Sequence, residues 1–207
     1  MATSMNNMCG ELHLKMGGMY AEKTTVLLRD LLREKASGLR VAYFNYSEDT
    51  RNAEDVYSSH NPVLVKNISS LGEFPLYRVE KLTKAKEMVE QYDVFGFDEA
   101  QFYPDLYDVV IYLVEECNKI VYVVGLDADS RRKRFGQLLD LVPMADSYEK
   151  LYARCMRCAT QGIRTKAIHT LCKIPTTEQK KIGAKDIYEA VCRKCYRAAI
   201  ISVSTSS

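Results

Sequence analysis

Four of the seven cysteines form two Cys-x-x-Cys pairs, Cys155 with Cys158 and Cys192 with Cys195, and 33 residues separate the pairs. Each pair has the spacing of a zinc knuckle, and four thiolates complete a closed tetrahedral site. Two coincidental pairs or a redox couple are the alternative, although redox Cys-x-x-Cys motifs usually occur singly. The spacing therefore predicts a structural Zn²⁺ site that stabilises a small C-terminal subdomain with little core of its own.

The residues before this region alternate short apolar runs with segments of helical period. This alternation is typical of a mostly parallel sheet flanked by helices, and each connection is long enough for a right-handed crossover. The predicted strands are Leu12–Met16, Val41–Phe44, Val94–Asp98 and Ile120–Leu126, and the predicted helices are Thr25–Lys35, Val79–Gln91 and Asp105–Asn118. We therefore predict an α/β fold.

The composition is that of an ordinary globular protein, with 47% hydrophobic and 27% charged residues. The net charge of +2 provides no strong field for attracting nucleic acid or a membrane surface. No apolar run approaches the roughly 20 residues that span a bilayer, and residues 1–10 lack the layout of a secretory signal. We expect a cytoplasmic protein with reduced cysteines and with neither membrane nor nucleic-acid partners.

The first predicted strand is followed by a segment that opens a helix and consists of Gly17, Gly18, Met19, Tyr20, Ala21, Glu22, Lys23 and Thr24. Backbone amides in this context can surround a polyphosphate. Lys23 is then predicted to contact the β- and γ-phosphates and Thr24 to bind Mg²⁺. Glu22 occupies the position where the usual pattern has glycine, so the loop alone is also compatible with an ordinary strand–turn–helix corner.

Two carboxylates, Asp98 and Glu99, follow the apolar strand that begins at Val94. Ligands of open parallel sheets bind at such strand ends. Asp98 is therefore predicted to hold the metal, and Glu99 to accept a proton from an attacking hydroxyl. A pair of acidic residues can also cap a helix or turn, but its place after a buried strand favours the functional interpretation.

These segments and several others, taken together in their order, resemble the thymidine kinase family of the cellular and poxvirus type from about Glu11 to Ala198. The further motifs are Asp49-Thr50-Arg51 with Ser59-His60, Phe97-Asp98-Glu99-Ala100-Gln101-Phe102-Tyr103-Pro104, Gly125-Leu126-Asp127, Arg132-Lys133 with Phe135-Gly136, Leu141-Val142-Pro143 and Val191-Cys192-Arg193-Lys194-Cys195-Tyr196. The resemblance implies a P-loop parallel sheet flanked by helices, with a small zinc-ribbon-like subdomain. The expected parts are a nucleotide-binding kinase domain at 11–147, a zinc-binding lasso subdomain at 148–198 and a flexible tail at 199–207.

The resemblance also implies transfer of the ATP γ-phosphate to the 5′-hydroxyl of thymidine, with Glu99 as general base. Thr24 and Asp98 would organise Mg²⁺, and Asp49, Arg51 and Gln101 would lie near the nucleotide. Thymidine would lie between the main domain and the lasso, against Met19, Phe102, Leu126, Phe135, Thr165 and Tyr188. A homotetramer is expected by the same resemblance.

Two other functions remain open at this stage. Glu22 allows a catalytically impaired, nucleotide-binding paralogue, in which the carboxylate disturbs the phosphate loop. The cysteine pairs alone allow a zinc-ribbon protein that binds nucleic acid, although the near-neutral charge and the acidic pair argue against it.

Overall fold

The computed structural model describes residues 9–47, 74–174 and 187–204. Its centre is a six-stranded parallel sheet. The strands are β1 (Glu11–Gly17), β2 (Val41–Tyr46), β3 (Leu76–Val79), β4 (Val94–Phe97), β5 (Ile120–Gly125) and β6 (Ser147–Leu151). Across the sheet they follow the order β3-β2-β4-β5-β1-β6. The α/β class predicted from the sequence is confirmed.

The central strands β2, β4 and β5 are buried at every position. Because a parallel sheet is covered on both faces, the sequences of such strands are continuous apolar runs. All four predicted strands are present. The sequence does not predict β3 or β6. β3 is half-buried throughout and β6 is exposed at all but its last position, so neither strand carries a diagnostic apolar run.

Helix α1 (Lys23–Ala36) follows β1 and confirms the first predicted helix. Its buried face packs on the sheet through Leu27, Leu28, Leu31 and Leu32. The close approach depends on Gly96 in β4, because a Cβ atom there would lie 2.5 Å from a methyl carbon of Leu31. The segment of residues 17–24, which we call the phosphate loop after its predicted role, therefore leads into a helix that is packed directly on the sheet.

The predicted helix Val79–Gln91 forms only in part, because Val79 ends β3 and helix α2 is limited to Thr83–Lys86. Val79 pairs with Tyr46 in the parallel ladder between β2 and β3. Asp105 then fixes the start of the helix, since its carboxylate accepts hydrogen bonds from the Leu82 amide at 3.0 Å and the Thr83 amide at 2.9 Å. Apolar spacing alone could not reveal this long-range cap.

The predicted helix Asp105–Asn118 forms in two parts. Helix α3 (Leu106–Ile111) continues into a π-helical turn, Tyr112–Glu116, in which the Cys117 amide donates to the Tyr112 carbonyl at 3.1 Å. The wider turn keeps the apolar face of this segment in the core. The helical prediction is confirmed here, with a change of winding that the sequence does not indicate.

After the boundary predicted at Ser147, β6 still belongs to the main sheet through its pairing with β1. The chain then forms two short antiparallel pairs, β7 (Ala153–Arg154) with β8 (Lys166–Ala167) and β9 (His169–Cys172) with β10 (Tyr188–Val191). Helices α4 (Met156–Ala159) and α5 (Arg193–Ser204) complete this region. Its small core includes Ala153, Cys155, Leu171, Val191 and Tyr196.

The long connection between the cysteine pairs contains β8 and β9, while residues 175–186 lie outside the described residues. Helix α5 reaches Ser204, so the segment expected to be a tail from residue 199 begins in a helix. Among the described residues, no helix combines the length and apolar character needed to cross a membrane.

A buried ion pair joins β1 to α1. Lys15 contacts the Asp30 carboxylate, whose residue is 1% exposed within an otherwise apolar helix face. Loss of one partner from a buried pair leaves the other charge without compensation. This interaction fixes the helix that follows the phosphate loop against the strand that precedes it.

We predict that Asp30→Ala lowers the free energy of unfolding by about 3 kcal/mol, because Lys15 then faces a desolvated site without its counter-charge. Urea denaturation followed by circular dichroism measures the change. The matched control is Asp140→Ala, which removes a carboxylate paired with the exposed Arg134 and should cost less than about 1 kcal/mol. Equal losses in the two variants would contradict the assignment.

Candidate active site and metal centre

The phosphate loop joins the end of β1 to the start of α1, as the sequence predicts. Tyr20 and Glu22 have left-handed backbone conformations, with φ of 64° and 58°. Left-handed residues of this kind can turn neighbouring amides towards one side, in a concave arrangement that binds anions. The dipole of α1 adds positive potential at the same end of the helix. The loop therefore has the backbone form of a phosphate site.

Lys23 is the first residue of α1 and is 9% exposed. Its ammonium group donates to the Gly18 carbonyl at 2.9 Å, so the side chain folds back over the loop. An ammonium group has three donors, so in this place it could also donate to a phosphate oxygen. The contact of Lys23 with a nucleotide stays a prediction.

Glu22 is exposed and stands at the N-cap of α1 without a capping hydrogen bond from its side chain. Its φ of 58° and ψ of 25° are those of the left-handed region, which costs a residue with a Cβ atom about 1 kcal/mol relative to glycine. The backbone thus adopts the bend that glycine usually provides. Glu22 therefore carries the backbone strain of a residue with a Cβ atom in a bend that favours glycine, but its side chain is exposed to solvent.

Asp98 lies at the end of β4 and is 1% exposed. Its carboxylate accepts hydrogen bonds from the Tyr43 hydroxyl at 2.9 Å, from the Glu99 amide at 2.8 Å and from the Thr24 side chain. Thr24 and Asp98, predicted from segments far apart in the chain, are therefore in direct contact. Tyr43 is a site residue that the sequence analysis missed, because a tyrosine in an apolar strand is normally assigned to packing.

The ionised form of the Asp98 carboxylate is disfavoured by its surroundings. Burial and the neighbouring charge of Glu99 raise its pKa, and hydrogen bonds from Thr24, Tyr43 and the Glu99 amide offset only part of the rise, so that the pKa is about 6. A divalent cation beside the carboxylate would favour the ionised form. The donor set of Thr24 and Asp98 therefore fits Mg²⁺.

Glu99 follows Asp98 and has a left-handed backbone conformation, with φ of 52°. Gln101 donates from its amide nitrogen to the Glu99 carboxylate at 2.6 Å, and its amide oxygen accepts from the Leu126 amide at 2.8 Å. Gly136 allows this packing, since a Cβ atom there would lie 2.3 Å from the Gln101 carbonyl oxygen. Gln101 thus orients Glu99 and connects it to the end of β5.

Several residues predicted to contact the nucleoside lie beside this carboxylate. Phe102 and Phe135 pack edge to face with their ring centroids 5.4 Å apart, and Tyr46 supports Phe102 at 5.1 Å. Leu126 is connected to the same region through Gln101. Phe102 therefore contacts Phe135 and Tyr46, while Leu126 is connected to the neighbouring Gln101.

The other predicted nucleoside residues lie on the side of the C-terminal subdomain. Met19 donates from its amide to the Thr170 hydroxyl at 2.9 Å, and the Tyr20 hydroxyl donates to the Tyr188 carbonyl at 3.4 Å. Thr165 lies at the cysteine cluster, where its side chain is hydrogen-bonded to Cys158. The predicted nucleotide residues Asp49 and Arg51 lie outside the described residues.

The four predicted metal ligands form one cluster, with the sulfur atoms of Cys155, Cys158, Cys192 and Cys195 within 4.8 Å of one another. The Cys158 sulfur lies 3.8 Å from that of Cys192 and 3.7 Å from that of Cys195. A tetrahedron with Zn–S bonds of about 2.3 Å has sulfur–sulfur edges of about 3.8 Å, whereas a disulfide requires about 2.05 Å. The arrangement fits a zinc ion.

Backbone amides donate to two sulfur atoms of the cluster. Burial raises the pKa of Cys155, but hydrogen bonds from the backbone amides of Cys158 and Cys192 and from the side chains of Cys158 and Cys195 together outweigh it, and the pKa falls to about 7. Burial raises the pKa of Cys195 to about 12. The Cys192 amide lies 3.2 Å from the Cys155 sulfur, and the Cys195 amide lies 3.5 Å from the Cys192 sulfur. Amide donors of this kind stabilise the charge that a zinc-bound sulfur carries.

Comparisons with known proteins identify the family of the chain. The family model described as thymidine kinase matches residues 10–196. The chain is 38% identical over 202 residues to thymidine kinase a of Arabidopsis thaliana, with 95% of this chain and 79% of that protein covered. The chain belongs to the thymidine kinase family.

Relatives from two other sources support the same membership. The thymidine kinase of Oryza sativa subsp. japonica is 39% identical over 188 residues, which cover 90% of this chain and 66% of that protein. The thymidine kinase of Monkeypox virus is 33% identical over 187 residues, which cover 90% of this chain and 97% of that protein. Membership of the thymidine kinase family supports the main function predicted from the sequence and not the impaired paralogue suggested by Glu22.

Asp98 should make the stability of the ligand-free protein depend on pH. Its pKa rises from 3.8 to about 6 on folding, so the folded state binds more protons in this range, and stability falls as pH rises from about 4 to about 6. Asp98→Asn cannot ionise, and its stability relative to wild type should therefore increase across this interval, by at most about 3 kcal/mol. Urea denaturation at several pH values measures the difference.

The exposed Asp108→Asn provides the matched control for this measurement, and it should follow the wild-type pH dependence. A constant difference between Asp98→Asn and wild type across the interval would show that Asp98 ionises normally in the folded protein.

The four-cysteine cluster predicts that replacement of any one of its members abolishes zinc binding. Cys155→Ser should abolish stoichiometric zinc, measured by atomic emission, and should lower the melting temperature, because metal binding contributes to the folding of this small region. Cys117→Ser is the control, since Cys117 lies outside the cluster and its replacement should leave the zinc content unchanged. Full zinc content in Cys155→Ser would contradict the four-cysteine site.

Proposed function

We propose that this member of the thymidine kinase family transfers the γ-phosphate of ATP to the 5′-hydroxyl of thymidine, as a step in deoxyribonucleoside salvage. The observation that carries the proposal is the direct contact of Thr24 with Asp98, in a site that also contains Lys23 and Glu99. An ammonium group, a hydroxyl group and two carboxylates are the groups that magnesium-dependent phosphoryl transfer requires.

The phosphate loop would bind the triphosphate through its amides and through Lys23, whose ammonium group has three donors and could contact the β- and γ-phosphates while one donor stays on the Gly18 carbonyl. Thr24 and Asp98 would hold Mg²⁺. When bound, this ion would neutralise the charge that develops on the phosphate oxygens. Asp49 and Arg51 remain proposed contacts of the same nucleotide.

Glu99 is the proposed general base. It would accept the proton of the 5′-hydroxyl as the hydroxyl oxygen bonds to the γ-phosphorus and the bond to the ADP oxygen breaks. Gln101 holds the carboxylate through a 2.6 Å hydrogen bond, so Glu99 has a defined position before substrate arrives. Its separation from Asp98 by the left-handed turn gives the two carboxylates different tasks.

The base and sugar of thymidine would lie against Phe102, Leu126 and Phe135, because an uncharged pyrimidine requires apolar and aromatic walls with few polar contacts. Met19, Thr165 and Tyr188 would complete the pocket from the side of the zinc subdomain. A homotetramer in the cytoplasm remains the expectation for the assembly and its location.

The decisive experiment is the conversion of thymidine to its 5′-monophosphate by folded, zinc-loaded protein with Mg-ATP, followed by chromatography. Glu99→Gln should lower kcat by about 100-fold or more while ATP and thymidine still bind, because the amide cannot accept the proton. Glu149→Gln, a change of the same kind on the exposed strand β6, is the control and should retain activity.

Parallel reactions with deoxyuridine, deoxycytidine and purine deoxynucleosides define the substrate. The proposal is rejected if wild-type protein forms no thymidine monophosphate. It is revised if another nucleoside has the higher kcat/KM, because this ratio measures the discrimination between substrates.

A further inference from the structure

One peptide group of the phosphate loop is held from both sides. The carbonyl of Gly18 accepts from the Lys23 ammonium at 2.9 Å, and the amide of Met19, which belongs to the same peptide group, donates to the Thr170 hydroxyl at 2.9 Å. Because a peptide group is planar, the direction of its N–H fixes the direction of its C=O. Thr170 therefore controls where the acceptor of the Lys23 ammonium points.

Glycine at position 18 makes the orientation of this peptide group depend strongly on Thr170. A Cβ atom on Gly18 would lie only 3.1 Å from the Thr170 hydroxyl, so a small residue allows the loop to approach β9. Glycine also leaves the preceding dihedral angles free, and nothing intrinsic to the residue selects one orientation of the peptide. Thr170 is 6% exposed, and its hydroxyl selects one orientation of the peptide group from outside the loop.

Thr170 is in turn held by the zinc subdomain. It pairs with Ala190 in the antiparallel ladder of β9 and β10, and Cys192 follows β10 directly. A second contact joins the same ladder to the loop, since the Tyr20 hydroxyl donates to the carbonyl of Tyr188 in β10. Two neighbouring loop residues are thus bound by two paired strands.

We propose that Thr170 is a positioning residue that couples the zinc-held β9–β10 ladder to the phosphate loop by orienting the Gly18–Met19 peptide beneath Lys23. The proposal rests on the proposed ATP site and extends it. The cysteine cluster then contributes to nucleotide affinity as well as to stability, because the order of the ladder determines the order of the loop.

Thr170→Val tests this directly, since valine has nearly the same shape but lacks the acceptor. The Kd for Mg-ATP, measured by titration calorimetry without thymidine, should rise about five-fold, the effect of one lost hydrogen bond. Thr170→Ser keeps the hydroxyl and should restore wild-type affinity. Thr160→Val, the same change at an exposed threonine of this subdomain, should leave the Kd unchanged.

A double-mutant cycle with Lys23→Ala separates positioning from general packing. In that background Thr170→Val should have no further effect on the Kd for Mg-ATP, because the ammonium group that the Gly18 carbonyl positions has been removed. An unchanged Kd in Thr170→Val alone, or the same loss with and without Lys23, overturns the inference. An equal loss of thymidine affinity does so as well.

The wild-type protein offers a test that requires no substitution. Amide exchange measured by nuclear magnetic resonance should show the Met19 amide protected when zinc is bound and faster after chelation. Fast exchange in the zinc-bound protein overturns the inference. If wild-type protein binds Mg-ATP without phosphorylating thymidine, the proposed function fails, and these measurements still decide the role of Thr170.

Discussion

The active site depends on the hydrogen bonds that converge on the Asp98 carboxylate. Thr24 comes from the first turn of α1, Tyr43 from β2 and Asp98 from the end of β4, so one buried group fixes three elements that are distant in the sequence. Burial of an ionisable group costs folding free energy, and its hydrogen bonds recover only part of that cost. The arrangement is consistent with a site organised to receive a cation, at some expense of stability.

The zinc subdomain has a different physical basis. Its strands are two to four residues long, and its core is much smaller than those on the two faces of the main sheet. Short ladders of this kind are not stable alone, and a zinc ion held by the four cysteines of the two knuckles would supply the missing constraint. The same ladder contacts Met19 and Tyr20 through Thr170 and Tyr188, which connects the cysteine cluster to the proposed phosphate loop.

The sequence predicts what is encoded locally. Apolar runs reveal the four central strands, the Gly17–Thr24 segment reveals the loop, and cysteine spacing reveals the metal centre. Contacts between distant segments remain hidden: the cap from Asp105 shortens a predicted helix, and the exposed strand β6 has no apolar run. For the same reason Tyr43 and Thr170 are missed, since a tyrosine or a threonine in a strand carries no signal until the fold shows what it contacts.

The side chain of Gln101 donates to a carboxylate at one end and accepts from a backbone amide at the other. Among side chains of this shape, only a primary amide can do both, because glutamate accepts at both ends and a methyl-bearing isostere does neither. Its orientation is fixed as well, since a flipped amide would oppose like dipoles at both contacts. Position 101 therefore requires a side chain that donates at one contact and accepts at the other. Natural variation at this position should be restricted even where neighbouring aromatic residues change freely.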